Sequence, residues 1–178
     1  MNVRTIRFSL STALVLIAVG TSPTLAEDYV IDASHSAATF QVPHLGLSWT
    51  SGRFNSLSGT VSTNPATFTL VAKTDSIDTG NAQRDEHLKS PDFFNAKQFP
   101  EISFKSTSVR PATNGYEVTG ELSLHGVTRP VTIQFLGGKE AEFPAGVYRT
   151  GFTGKLVIKR STFGIDKFQE MVGDEVQI

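Results

Sequence analysis

Hydrophobic and polar residues alternate along most of this chain after Ala26. From His35 to Val42, Ala38, Phe40 and Val42 fall on one face and Ala37, Thr39 and Gln41 on the other, the period of a strand with one face buried. Pro43 removes a ladder donor, so the strand ends, bulges or lies at an edge there. His44 to Trp49 resumes extended structure, and Gly52 to Val61 forms the next strand. Phe54 and Leu57 have opposite parity in it, which predicts a bulge or twist between them. Asn64-Pro65 is a turn, after which Phe68, Leu70 and Ala72 point inward. Ile102 and Phe104 share a face of a later strand, and Asn114-Gly115 is a hairpin turn. Tyr116, Val118, Leu122 and Leu124 continue the inward set, with Gly120 placed for a sharp bend. Val131, Ile133 and Phe135 alternate with Thr132 and Gln134. Gly137-Gly138 is expected to open a polar loop through Pro144 and Gly146. Phe152, Leu156 and Ile158 then share one face, and Glu175 to Ile178 is a short last strand.

About eight strands with regular turn signals predict an all-β barrel or sandwich. One segment interrupts them, Ser76 to Phe104. Asn81 is placed to cap a short polar helix, Ala82 to Lys89. Ser90-Pro91 reads as a second cap with proline at the first helical position. Phe93, Phe94 and Phe99 follow and need an apolar surface to cover. A connection of this length within a compact domain is usually a lid or binding loop.

Four blocks carry a family resemblance: SIDTGNAQRDEHLKSPDFFNAKQFPEISFKSTSV from Ser76, YVIDASHSAATFQVPHLGLSWTSGRFNSLSGTV from Tyr29 to Val61, GELSLHGVTRPVTIQF from Gly120 to Phe135, and FGID from Phe163 to Asp166. In order and spacing the sequence resembles the YceI-like family over nearly all of the chain after Ala26. The resemblance implies a lipocalin-like antiparallel eight-stranded β-barrel whose apolar pore holds a long amphiphile. Polyisoprenoids and fatty-acid-like amides are the ligand types it brings, an isoprenoid quinone would fit such a pore as well, and a homodimer is a further expectation from the resemblance. Members of that family run on through a fuller last strand, whereas this sequence stops at Ile178.

Composition narrows the rest. The 178 residues fit one domain, and the net charge of -1 gives no footprint for nucleic acid. There is no cysteine, hence no disulfide and no thiolate nucleophile. Arg4 and Arg7 precede an apolar run from Phe8 to Gly20, too short to span a bilayer. Thr24-Leu25-Ala26 completes a signal-peptide pattern, with cleavage expected after Ala26. Residues 1–26 are therefore read as an export signal and 27–178 as a periplasmic barrel domain without a stable membrane anchor.

Burial of about ten methylenes in an apolar pore supplies roughly 8 kcal/mol before ordering costs, so binding needs no polar motif. The expected pore lining combines Phe40, Val42, Phe68, Leu70, Ile102, Phe104, Leu122, Leu124, Ile133, Phe135, Phe152 and Leu156, with Trp49, Phe93 and Phe94 at the mouth or lid. His44, Arg84, Asp85 and His87 are the head-group candidates. The four histidines are widely spaced, without the i, i+4 helical pair of a zinc enzyme, so neither a metal nor a cofactor is expected. No GxSxG or paired acid/base carboxylates occur, so no catalytic residue is assigned. Two alternatives stay open: a hydrolase or metal-dependent enzyme built on His87 and Asp85, and a stress-protective structural protein with a filled core.

Overall fold

The computed structural model describes residues 28–178. The expected export signal lies outside the described residues. Twelve strands follow one another: β1 (Asp28–Val30), β2 (Ala38–His44), β3 (Ser48–Phe54), β4 (Leu57–Thr63), β5 (Ala66–Lys73), β6 (Ile77–Asp78), β7 (Glu101–Ala112), β8 (Gly115–Leu124), β9 (Val127–Glu142), β10 (Tyr148–Lys155), β11 (Val157–Lys159) and β12 (Glu175–Gln177). Among the described residues a single α-helix, α1 (Ala82–Lys89), lies between β6 and β7.

The strands pair antiparallel in two sheets, β1-β4-β5-β7-β8-β9-β10 and β11-β12-β2-β3-β6. Several strands pass from one sheet into the other. Asn55 and Ser56 bend the chain between β3 and β4, Thr74–Ser76 form a 3-10 turn between β5 and β6, and Leu156 joins β10 to β11. Backbone bonds carry the pairing through the corners, from Asn55 N to Ser76 O (3.0 Å) and from Lys73 N to Ser56 O (3.0 Å). The result is a nearly closed eight-stave barrel, β1/β2, β3/β4, β5/β6, β7, β8, β9, β10/β11 and β12. The jog at Asn55-Ser56 explains the opposite parity of Phe54 and Leu57.

The seam is short. β12 pairs β11 over three residues and β2 at Gln177↔Gln41 alone. Pro43 sits on that seam, where its carbonyl accepts from Gly173 N at 2.8 Å and no N–H is required of it.

Two expectations are corrected. Ser90-Pro91 does not start a second helix. Ser90 caps the end of α1, and the next amides fold back on α1, Phe94 N to Leu88 O at 2.9 Å and Ala96 N to Lys89 O at 3.0 Å. These bonds use carbonyls that a helix end leaves free and so terminate rather than propagate it. Gly137-Gly138 does not open a loop either, because β9 runs through both to Glu142. At Gly137 (φ 120°) a Cβ would lie 2.1 Å from Gly151 O, opposite a bulge in β10 between Thr150 and Phe152, so the glycine admits a bulge within the ladder. Gly120 lies opposite the β7 bulge at Ser106/Ser108, where a Cβ would fall 2.4 Å from Lys105 O.

Candidate functional site

The interior divides into a filled half and a hollow half. Phe68 stacks on Phe135 at 4.9 Å between ring centroids, and Phe152 meets Phe68 edge-on at 5.4 Å. Tyr116 closes this cluster against Phe68 and Phe152. The four rings come from β5, β8, β9 and β10 and fill the barrel beside the β7–β8 hairpin. Aromatic contacts of this kind add about 0.5–1.5 kcal/mol each beyond area burial.

Beyond the plug lies a chamber of about 200 Å³ whose wall is carbon almost throughout. Eleven of the fifteen residues expected to line a pore surround it: Phe40, Val42, Leu70, Phe93, Phe94, Ile102, Phe104, Leu122, Leu124, Ile133 and Leu156. Phe68, Phe135 and Phe152 face inward but belong to the plug. Trp49 is half exposed at the β2–β3 hairpin, with Leu45 and Leu47 exposed beside it.

Sequence reasoning missed other wall residues. Phe54 and Leu57 both reach the chamber, because the Asn55-Ser56 jog resets the alternation between them. Ala38 and Ala72 belong to inward sets that the pattern identified, and as small residues they leave the space that the chamber occupies. Ile165 and Val172 come from the β11–β12 connection, an irregular segment with no period to read.

The insertion caps the hollow end. α1 is eight residues long, too short to stand alone. Asn81 caps it by accepting from Arg84 N at 3.0 Å, as its position predicts. Thr79 ties it down further. The Asp85 carboxylate accepts from Thr79 N (2.9 Å) and Thr79 Oγ1 (2.5 Å), while Arg84 donates to Thr79 Oγ1 (2.7 Å) and Thr79 O (2.8 Å). So anchored, the insertion places Leu88, Phe93 and Phe94 against the chamber. His87 lies behind that wall, edge-on to Phe93 at 5.1 Å and to Phe168 at 5.7 Å, with Nε2 3.3 Å from Asp92 Oδ2. His44 ends β2 and bridges to Val172. None of the four head-group candidates lines the chamber.

The β11–β12 connection is held by Arg160, which the sequence reading did not single out. It is buried, and its guanidinium donates to Gly173 O (2.9 Å), Ile165 O (2.8 Å) and Val172 O (2.7 Å). Burial lowers its pKa from the ordinary arginine value, and the charges of Asp174, Asp166 and Glu170 oppose that shift. Burial would raise the Asp174 carboxyl, but the Ser161 N–H and hydroxyl, both at 2.9 Å, hold it below the usual carboxylate range. This is the planar, multidentate use of arginine that lysine cannot reproduce. Among the described residues no group of three or more His, Asp or Glu side chains is placed to hold a metal.

A family model for the YceI-like domain matches residues 29–178. The chain belongs to the YceI-like family. A UPF0312 protein of Pseudomonas aeruginosa is 38% identical to it over 161 residues, covering 86% of this chain and 84% of that protein. BcnA of Burkholderia cenocepacia superposes with a TM-score of 0.73 at 26% identity, over 83% of this chain and 94% of BcnA. A polyisoprenoid binding domain from Saccharophagus degradans shares the fold at 16% identity, with a TM-score of 0.53 over 84% of this chain and 88% of that domain.

Proposed function

We propose that this YceI-like protein is an exported, periplasmic binding protein that takes the apolar chain of a long amphiphilic lipid into its barrel, with an isoprenoid as the leading class and no chemistry of its own. The observation that carries the reading is the carbon-walled chamber, roofed by phenylalanines of an insertion that is itself tied down. A wall of this kind turns almost no polar atom toward a ligand and selects for width and hydrophobicity. The polyisoprenoid binding domain that shares the fold supports a lipid as the ligand class. The Arg4/Arg7 and Thr24-Leu25-Ala26 pattern supports export.

Native mass spectrometry on protein purified from the periplasm, followed by solvent extraction, tests this reading. A released species of lipid mass is the expected result. Bare polypeptide that also refuses added prenyl or acyl chains overturns it.

A further inference from the structure

The two ends of the barrel are unlike. The β4–β5, β7–β8 and β9–β10 turns lie at one end, which holds the plug of Phe68, Tyr116, Phe135 and Phe152. At the other end β2 turns into β3, β6 leads into α1, β8 turns into β9 and β11 leads into the connection to β12. The chamber reaches this second end, where Phe93, Phe94, Ile165 and Val172 cover it.

The β2–β3 hairpin stands at the same end and is apolar without being covered. Leu47 is 86% exposed, and Leu45 and Trp49 are about half exposed among the described residues. Leu45 N donates to Met171 O at 2.7 Å, which sets Met171, itself exposed, beside the tip. His44 bridges to Val172, and Val42 and Val172 both line the chamber. The exposed patch is therefore continuous along the chain with the chamber wall.

Three observations show that this tip is not built for water. Leu47 N closes the turn on His44 O at 3.0 Å, with Leu45 at φ 53° and Gly46 at φ 67° between them. Asn-Gly or Asp-Gly is the usual pair in such a turn, and a bulky aliphatic side chain at its first left-handed position is strained. The span from Ser36 to Gly52 holds no Asp, Glu, Lys or Arg, in a chain of which 19% is charged. A Cβ on Gly46 would meet nothing within 4 Å, so the turn stands clear of the rest of the protein.

The form of the patch selects its partner. A stable protein–protein contact takes about 800 Å² from each side, more than four partly exposed side chains on a projecting turn supply. A bilayer needs no matching surface. It takes leucine into the acyl boundary and tryptophan at the level of the head groups.

We infer that the β2–β3 hairpin is a reversible membrane-docking element. Leu45, Leu47 and Trp49 enter the interface of a bilayer and seat the insertion end of the barrel on the lipid surface. The docking follows from the hairpin alone. Its use, to pass a lipid tail between bilayer and chamber without a journey through water, rests on the container reading.

Trp49 is the one tryptophan of the sequence, so its fluorescence reports on the tip. Phosphatidylcholine vesicles added to the purified protein are expected to shift its emission to the blue, and the same lipid brominated on its acyl chains is expected to quench it. A neutral lipid suffices because the tip carries no charge. In L45N/L47S partitioning is expected to fall by at least about tenfold, since two leucine side chains no longer enter the bilayer. Asparagine suits the left-handed turn, so Tm is expected to hold in that variant. V30S, which removes a comparably exposed side chain from β1, retains partitioning. No shift and no quenching in the unaltered protein overturn the inference, as does partitioning that survives in L45N/L47S. A blue shift that grows with protein concentration alone and gains nothing from vesicles assigns the tip to a second copy of the chain and also overturns it. The container is read separately, by lipid released from the purified protein. Docking without released lipid keeps the hairpin assignment and loses the container, and released lipid without docking does the reverse.

Discussion

Leu156 and Ile178 exchange both of their backbone hydrogen bonds, Leu156 N to Ile178 O at 2.9 Å and Ile178 N to Leu156 O at 2.8 Å, one step beyond the three residue pairs of β11 and β12. Leu156 is also the residue at which β10 passes into β11. The pair therefore carries the β11–β12 pairing up to the corner between β10 and β11.

β11 is only three residues long before the 3-10 turn Arg160–Phe163, and so short a strand opens locally before the barrel unfolds. The Leu156 and Ile178 amides are expected to exchange with solvent through a sub-global opening, faster than the bonded amides of the long β7–β8 ladder between Ser103 and Ala112. Native-state hydrogen exchange followed by NMR reads this directly. Equal protection in the two ladders would mean that the seam is as firm as the rest of the wall.

Phe68 is the centre of the plug, buried and in contact with three other rings. Phe68→Ala removes those contacts and leaves a void, at a cost of about 3–5 kcal/mol. For a domain of this size that lowers Tm by about 10 °C. The void adjoins the core cluster that includes Phe104, Leu122 and Ile133 of the chamber wall, and an apolar cavity of this kind accepts apolar guests. The variant is therefore expected to take up longer chains than the unaltered protein, seen as a higher mass of bound lipid. Loss of stability with no change in accepted length would show that plug and chamber do not communicate.

The division into plug and chamber explains which parts of the site were legible in the sequence. Alternation identifies the inward face of each strand, and Phe68, Phe104, Phe135 and Phe152 all lie on it. It carries no information on depth along the barrel axis, so it cannot separate Phe104 in the chamber wall from Phe68 in the plug. Depth depends on the register between strands, which bulges at Thr150/Phe152 and Ser106/Ser108 shift. α1 and its Asn81 cap were legible because capping is local. Arg160 was not, since its three acceptors belong to an irregular segment brought to it by the fold.

Asp32 gives the β1–β2 connection an acid-sensitive turn. The Ser34 hydroxyl and the His35 ring bond its carboxylate at 2.7 and 2.8 Å, the Ser34 N–H adds a third bond at 3.0 Å, and together they lower its pKa from 3.8 to about 2. Arg149 of β10 approaches the same carboxylate at 3.7 Å. A depressed folded-state pKa stabilises the fold above the unfolded value and loses that contribution as pH falls. The Ser34 and His35 bonds within the β1–β2 connection are therefore complete above about pH 4 and lost on acidification toward pH 2. In an NMR titration of the Asp32 carboxyl carbon the midpoint is expected near pH 2, and Ser34→Ala moves it back toward the ordinary value. A midpoint near 3.8 in the unaltered protein would mean that Ser34 and His35 do not hold the carboxylate.

Asp85 and His87 decide between a binding protein and the alternative enzyme. An acid/base pair must share a substrate, yet each of these side chains already has a separate structural partner. Asp85 holds the Thr79 N–H and hydroxyl at the start of α1, whereas His87 faces Asp92 and the rings of Phe93 and Phe168. Replacing both with alanine frees the helix start at a cost of about 1–2 kcal/mol, as the loss of hydrogen bonds at a cap does. Removing the His87 ring also takes support from Phe93, but it leaves the carbon wall of the chamber in place. The double variant should therefore melt a few degrees earlier and hold prenyl or acyl chains within about threefold of the original affinity, less than the tenfold that 1.4 kcal/mol represents. A hydrolase or metal enzyme built on the pair predicts the opposite pattern, with turnover abolished whatever happens to lipid binding. Measuring bound lipid and Tm on the same preparation separates the two, because a merely unfolded variant would lose both together.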